Sequence, residues 1–265
     1  MRRIVVRTLL AALPLLPLRG RGAFARHIVA LALAVAVTLP LAALASPARA
    51  ASELLPDLGM ARLTNLKIEK TQDDRKLLRF SSVVVNVGDG PFEVHGERDV
   101  DTSTMTTAQR VFDDEGNYSD TPTEAVMYFG GDGHNHWHVR DLESFALKHL
   151  DKGGTKVGTN AKHGFCFFDN YRYGSAQVPY YTGCGKSTDL QVAMGLTPGW
   201  GDLYPYNLPD QYIDIMGLGP GRYRLEGMVD ADNWFQESDE LNNSTWVDIR
   251  IKKGRARVVG YGSSA

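Results

Sequence analysis

Three histidines fall at alternate positions, His134, His136 and His138, in the stretch GDGHNHWHVRD. An extended chain sends residues i, i+2 and i+4 to one face. On a strand the three imidazoles would therefore share a face, with Asn135 and Trp137 opposite. Neutral imidazole is a common ligand for zinc and copper. The outer two Cα atoms of a straight strand would stand about 13 Å apart, so side-chain reach or a local bend must close the gap. The preceding run Gly130, Gly131, Asp132 and Gly133 permits a bend. Three nitrogens with no thiolate suit copper or zinc, and the spacing does not choose between them. A fourth position left open to water or substrate is the catalytic arrangement of a metal. The competing reading is an exposed polar strand edge. Three of the chain's seven histidines within five positions favour the metal.

The elements that must position this cluster read as short strands and turns. Val83–Val87 is a β-branched run, followed by the turn Gly88-Asp89-Gly90-Pro91, which predicts two strands with a tight connection. ESFALKHL alternates Phe145 and Leu147 with Ala146 and Lys148. GPGRYRLEGMVD sets Tyr223, Leu225 and Val229 on one face and Arg224, Glu226 and Asp230 on the other, and STWVDIRI repeats the alternation. Beyond residue 50 no stretch carries a long 3.6-residue apolar period. The expectation is a mainly β, antiparallel sandwich or barrel-like single domain with long loops and few helices. Val100 to Tyr118 is polar and reads as a surface excursion. Residues 253–265, basic then rich in Gly and Ser, read as a flexible tail.

Residues 1–50 hold seven arginines and no acidic residue, with an apolar run from Ile28 to Ala45 and small residues Ala48 and Ala50 at an A-x-A site. That pattern is a secretory signal peptide, either extended or preceded by a start assigned too far upstream. An uncleaved anchor is the alternative, since eighteen apolar residues barely span a bilayer. The remaining 215 residues suffice for one domain, at 51–252, with a tail at 253–265. They carry 22 basic and 31 acidic residues, an acidic balance that argues against nucleic acid. After cleavage no stable membrane insertion is expected. Cys166 and Cys184, the only cysteines, lie beyond the export signal. A bridge is expected, worth roughly 3 kcal/mol by loop closure, with two buried thiols as the alternative.

HNHWHVRDLESFALKHLD resembles the copper-binding stretch of the lysyl oxidase family, an H-x-H-x-H core followed by an alternating strand. The likeness continues in order. KHGFCFFDN resembles the family's lysine-bearing K-x-x-F-C segment. GLTPGWGDLYPYNLPDQYIDI resembles its G-x-(S/T)-x-G, D-x-Y and Q-(W/Y)-I-D-I run, and PGRYRL and ESDELNN resemble later stretches. The likeness covers about Gly130 to Arg250. Residues 51–129 match poorly apart from PDL at Pro56 to Leu58.

The resemblance implies a lysyl oxidase-like catalytic domain at 51–252, secreted or in the cell envelope. Such enzymes are copper amine oxidases that convert primary amines, including peptidyl lysine, to aldehydes with dioxygen, releasing ammonia and hydrogen peroxide. Their cofactor is lysyl tyrosylquinone, made from a tyrosine and a lysine of the chain. Carried over, these are Tyr204 and Lys162, 42 residues apart, so only the fold could join them. The bland readings are a packing tyrosine and a solvated lysine. Asp202, two positions before Tyr204, shares its face on an alternating strand and is one candidate base. Glu237, Asp239, Asn242 and Asn243 supply hard oxygens in one short loop, which suits calcium. The family's matching loop carries a structural calcium with an amino-terminal Asp-Leu contributing, and Asp57 fits that position. A plain polar turn is the alternative, because Asn170 and Tyr171 stand where further acidic residues are expected. Asn243-Ser244-Thr245 also fits a glycosylation sequon. Two further functions stay open: a copper-binding protein of the same fold without quinone or oxidase activity, and a cell-surface β-sandwich binding module with a structural metal.

Overall fold

The computed structural model describes residues 49–130, 134–262 and 264–265. The proposed signal segment, up to residue 48, and the Gly131–Gly133 bend lie outside the described residues. The strands of the described residues pair antiparallel, and the one helical element among these residues is the 3-10 turn Leu150–Lys152. No sheet closes into a barrel among the described residues. No helix there is long and apolar enough to cross a membrane.

Three sheets surround one core. The largest runs, in spatial order, through Gly164–Phe165, Trp137–Arg140, Tyr118–Phe129, Thr104–Asp113, Phe92–Glu97 and Gln191–Leu196, with Glu53–Leu54 added at Thr104–Asp113. A second sheet is built on the long strand Lys76–Asn86, which pairs with Trp200–Tyr204, Tyr212–Asp214, Leu58–Met60 and Thr64–Lys70. The third orders Thr155–Thr159, Glu143–His149, Gly221–Val229, Ser244–Lys252 and Arg255–Tyr261. Phe80, Phe92, Trp137, Phe145, Leu225 and Ile249 contribute to one continuous buried cluster drawn from all three sheets.

Alternation in the sequence becomes burial here. Glu143–His149 points every second side chain inward, beginning with Glu143 itself, and Gly221–Val229 buries Tyr223, Leu225 and Val229. Lys76–Asn86 and Phe92–Glu97 are two strands, as the turn between them predicts, but they belong to different sheets.

Two expectations are corrected. Residues 104–113, read as part of a surface excursion, form an interior strand between Phe92–Glu97 and Tyr118–Phe129. Its inward positions include Thr107 and Gln109, so the apolar alternation is masked. Gln109 is buried because its amide exchanges two hydrogen bonds with the Gln236 backbone, at 2.8 and 2.7 Å. Residues 255–261, read as a fraying tail, are an edge strand paired along Ser244–Lys252. Its outward arginines are ordinary for an edge, where charge discourages further pairing.

Candidate active site

The histidine stretch is not a straight strand. His134 and His136 precede the strand Trp137–Arg140, and Gly130 N donates to His136 O at 3.0 Å, drawing the chain into a bend. The three rings lie 4.5 to 5.7 Å apart between centroids. One nitrogen from each fits within 4.8 Å of the others. His138 is buried, whereas His134 and His136 are half-buried, so the cluster is open on one side. The donor set is three imidazoles with no thiolate or carboxylate among the described residues, and it fits copper or zinc by ligand type.

Three features hold His138. Tyr128, its cross-strand partner, stacks on it at 5.7 Å. Trp137 is buried, with its N–H donating to Cys184 O and its indole Nε1 to Lys186 O. Gly164 faces it from the neighbouring strand. A Cβ on Gly164 would lie 2.3 Å from the Tyr128 hydroxyl and 3.0 Å from His138 Cγ, so only glycine admits this approach.

The segment leading into this short strand delivers the lysine. Lys162 is buried two residues before Gly164, and its Nζ lies 5.1 Å from the centroid of the Tyr204 ring. The Asn160 side chain donates to Lys162 O while its Oδ1 accepts from Phe145 N, and Ala161 N donates to Tyr212 O, which ties the segment to two sheets. Tyr204 ends the strand Trp200–Tyr204 opposite Ser82. Its hydroxyl donates to Cys166 O at 2.7 Å, and the Phe165 ring packs on it edge-on. Cys166 and Cys184 are joined in a disulfide. The bridge thus links the carbonyl that holds Tyr204 to the carbonyl that holds Trp137.

Acids converge on the same place. Asp202 and Tyr204 share the buried face of their strand, and Asn170 donates to Asp202 Oδ1. Burial pushes the Asp202 carboxyl up to about 8, opposed by its polar neighbours Tyr204 and Asn170 and by the charge of Lys162. Glu143 was missed by the motif reading. Burial, with the charge of Asp202 adding, raises it to about 8, while Ser82 and Lys162 oppose. One signal for it existed: a glutamate at the inward phase of the strand that buries Phe145 and Leu147. Burial, then the two carboxylates, hold the Tyr204 hydroxyl well above the usual phenol range.

The residues of the alternative calcium loop also meet. Asn242 Nδ2 and Ser238 Oγ donate to the two oxygens of Asp57, at 2.6 and 3.2 Å. Leu58 N and Asn243 Nδ2 donate to Glu237. Asp239 does not join them: it is exposed and accepts from Leu241 N in its own turn. The amide oxygens of Asn242 and Asn243 are buried without a hydrogen-bond partner among the described residues, which suits a hard cation. Asn243 Nδ2, the nitrogen a glycan would need, is buried and bonded to Glu237.

With this geometry in view, the family model described as "Lysyl oxidase" matches residues 114–260, more than half of the chain. The chain belongs to the lysyl oxidase family. Lysyl oxidase homolog 2 of Rattus norvegicus is 27% identical over 193 residues, covering 73% of this chain and 20% of the relative. Lysyl oxidase homolog 2 of Homo sapiens has the same identity and coverage, and lysyl oxidase homolog 3A of Danio rerio is 27% identical over 170 residues, covering 64% and 18%. The chain spans about a fifth of the length of these curated relatives. The lysyl oxidase match contains the histidine cluster, Lys162, both cysteines, Asp202 and Tyr204, and excludes Asp57 and the strands before residue 114.

Proposed function

We propose that this lysyl oxidase family member is a secreted or envelope copper amine oxidase. It would deaminate primary amines, peptidyl lysine or small amines, to aldehydes with dioxygen, releasing ammonia and hydrogen peroxide. The observation that carries the reading is the meeting of Lys162 and Tyr204, 42 residues apart in sequence, with 5.1 Å between amine and ring centroid.

His134, His136 and His138 are the residues that would hold copper. Bound copper, with the lysyl tyrosylquinone formed from Lys162 and Tyr204, supplies oxidation by dioxygen and an electron sink for the amine. The protein's own groups do the rest. The Cys166 carbonyl fixes the Tyr204 hydroxyl, and the Phe165 edge restricts the ring's rotation and excludes water from one side. Asp202 is the candidate base for the substrate α-proton: its Oδ2 is buried without a hydrogen-bond partner among the described residues, and a carboxyl raised to about 8 is, once it has released its own proton, a stronger base than a free aspartate. Asp57, Glu237, Asn242 and Asn243 are read as a calcium staple remote from this chemistry in the chain. Added calcium should raise the unfolding temperature of wild type, and an unchanged temperature argues for a plain polar turn.

Full chain secreted with copper supplied should yield a peptide containing both Lys162 and Tyr204, an absorption band that phenylhydrazine shifts, and amine-dependent peroxide. His136→Ala should lose its copper and all three signals. Copper-loaded wild type with two unlinked peptides and no peroxide would leave a copper-binding protein without oxidase activity.

A further inference from the structure

Glu143 opens its strand on the inward face, so a carboxyl stands where Phe145 and Leu147 continue the core. Ser82, Gln211, Asp202 and Lys162 are buried too, and Asn160, two residues before Lys162, pairs with Phe145, two residues after Glu143, which brings the lysine's segment alongside the carboxyl. Ser82 Oγ donates to Glu143 Oε2 at 3.2 Å, and Gln211 Nε2 donates to Ser82 Oγ at 3.2 Å. The charge of Lys162 acts on both Glu143 and Asp202. Three acceptor oxygens, Glu143 Oε1, Asp202 Oδ2 and Gln211 Oε1, are buried with no hydrogen-bond partner among the described residues. Buried acceptors without donors are costly, and a proton placed on a carboxyl turns an acceptor into a donor.

We propose that Glu143 takes the proton of Lys162 and so holds its amine ready to attack the Tyr204 ring once copper and dioxygen have oxidised that ring.

The proposal rests on the amine-oxidase reading above and supplies what that reading requires. A free lysine is protonated at neutral pH, with a pKa of about 10.4, and an ammonium has no lone pair to form a bond. In the step, an N–H bond of the ammonium breaks, its electron pair stays on Nζ, and an O–H bond forms on Glu143. No oxidant is consumed. An ammonium with one carboxylate and one carboxylic acid carries no net charge, and neither does a neutral amine with two carboxylic acids. A dry interior favours the second, which contains no charges at all. The raised Glu143 and Asp202 carboxyls agree with this, since both retain protons at neutral pH. Of the other titratable groups acting on this chamber, Asp169 raises the Asp202 carboxyl further and Tyr204 is held neutral. Asp202 serves the ring side: it lies on the Tyr204 strand and Asn170 holds one of its oxygens. Glu143 arrives from a different sheet, and its one hydrogen bond among the described residues comes from the Ser82 hydroxyl.

Full chain secreted without copper is given copper in air across a pH series, and the cross-linked peptide is quantified by mass spectrometry. Glu143→Gln should bind copper as wild type does. It should link at least about tenfold more slowly near neutral pH and recover as the pH approaches about 10, where lysine loses its proton unaided. Glu143→Asp should keep the wild-type pH profile at an intermediate rate. A well-folded, copper-loaded Glu143→Gln that links at the wild-type rate, or slowly at every pH alike, overturns the proposal. If Glu143→Gln fails to fold, Ser82→Ala carries the test: slower linking with alkaline recovery supports it, and wild-type linking overturns it. A wild type that never links fails the amine-oxidase reading first and takes this proposal with it.

Discussion

Two places in this molecule bury a glutamate whose carboxyl is raised to about 8, Glu143 and Glu237, and they are built in opposite ways. Around Glu237 the carboxylates are saturated. Both oxygens of Glu237 and both of Asp57 accept hydrogen bonds from donors in the same two segments. Around Glu143 they are not: Glu143 and Asp202 each keep an oxygen with no hydrogen-bond partner among the described residues, and the neighbouring cation is Lys162. The raised carboxyl does not distinguish the two sites, whereas the completeness of the carboxylates' own hydrogen bonding does. A saturated carboxylate fastens the amino-terminal segment to a distant loop. An unsaturated one beside an amine is poised to exchange a proton.

The sharpest break between the regions is chemical. Lys162→Ala and Tyr204→Phe should each abolish amine-dependent peroxide while copper stays bound, whereas Asp57→Ala, assayed below its unfolding temperature, should leave peroxide production intact. Loss of peroxide in Asp57→Ala would merge the two sites into one. Next in size is the bridge between the two halves of the active site. Cys166→Ser with Cys184→Ser should cost about 3 kcal/mol in denaturant unfolding and should also weaken copper binding, because Trp137 N loses a fixed acceptor. Copper affinity unchanged in that variant would separate the disulfide from the cluster. Within the saturated site, Glu237→Ala strands the Leu58 N–H and the Asn243 amide. Each buried donor left unpaired costs about 1–3 kcal/mol, read as a lowered denaturant midpoint with no change in the linking of Lys162 to Tyr204.

A further effect is a drift with pH in copper-free protein. Glu143 ionises near 4.5 in the unfolded chain and near 8 in the fold, and Asp202 near 3.8 and near 8. Between those values these two carboxyls bind more protons in the folded than in the unfolded state, so their contribution to stability falls as pH rises from about 4 to about 8 and levels off above. Thermal unfolding across this range should show the decline, and Glu143→Gln should make it shallower, with Asp202 and Glu237 supplying the rest. A wild-type curve already flat would mean that the chamber is wet.

The strands were readable where one face is apolar and the other polar. Glu143–His149, Gly221–Val229 and Ser244–Lys252 follow their alternation residue by residue. Thr104–Asp113 was hidden because its inward Thr107 and Gln109 are satisfied by partners that a linear reading cannot see. Arg255–Tyr261 was hidden because an edge strand is polar for the same reason that a tail is. The histidine spacing pointed to a metal on its own, but the bend that gathers the rings depends on a backbone contact from Gly130 to His136. Lys162 and Tyr204 stood out only by resemblance, since neither carries a local signal. Glu143 did carry one, a charge in the inward phase of an apolar strand.

Gly164 fixes a clearance. The segment that carries Lys162 is seated against His138 at Gly164, and Lys162 and Cys166 flank the contact two residues to either side. The gap between imidazole cluster and tyrosine ring is therefore set by a mechanical stop and not by flexible reach. One added methyl at Gly164 would act as a shim, lifting the lysine and the carbonyl that holds Tyr204 together. A substitution bearing no functional group of its own would detune the centre by changing its tolerance.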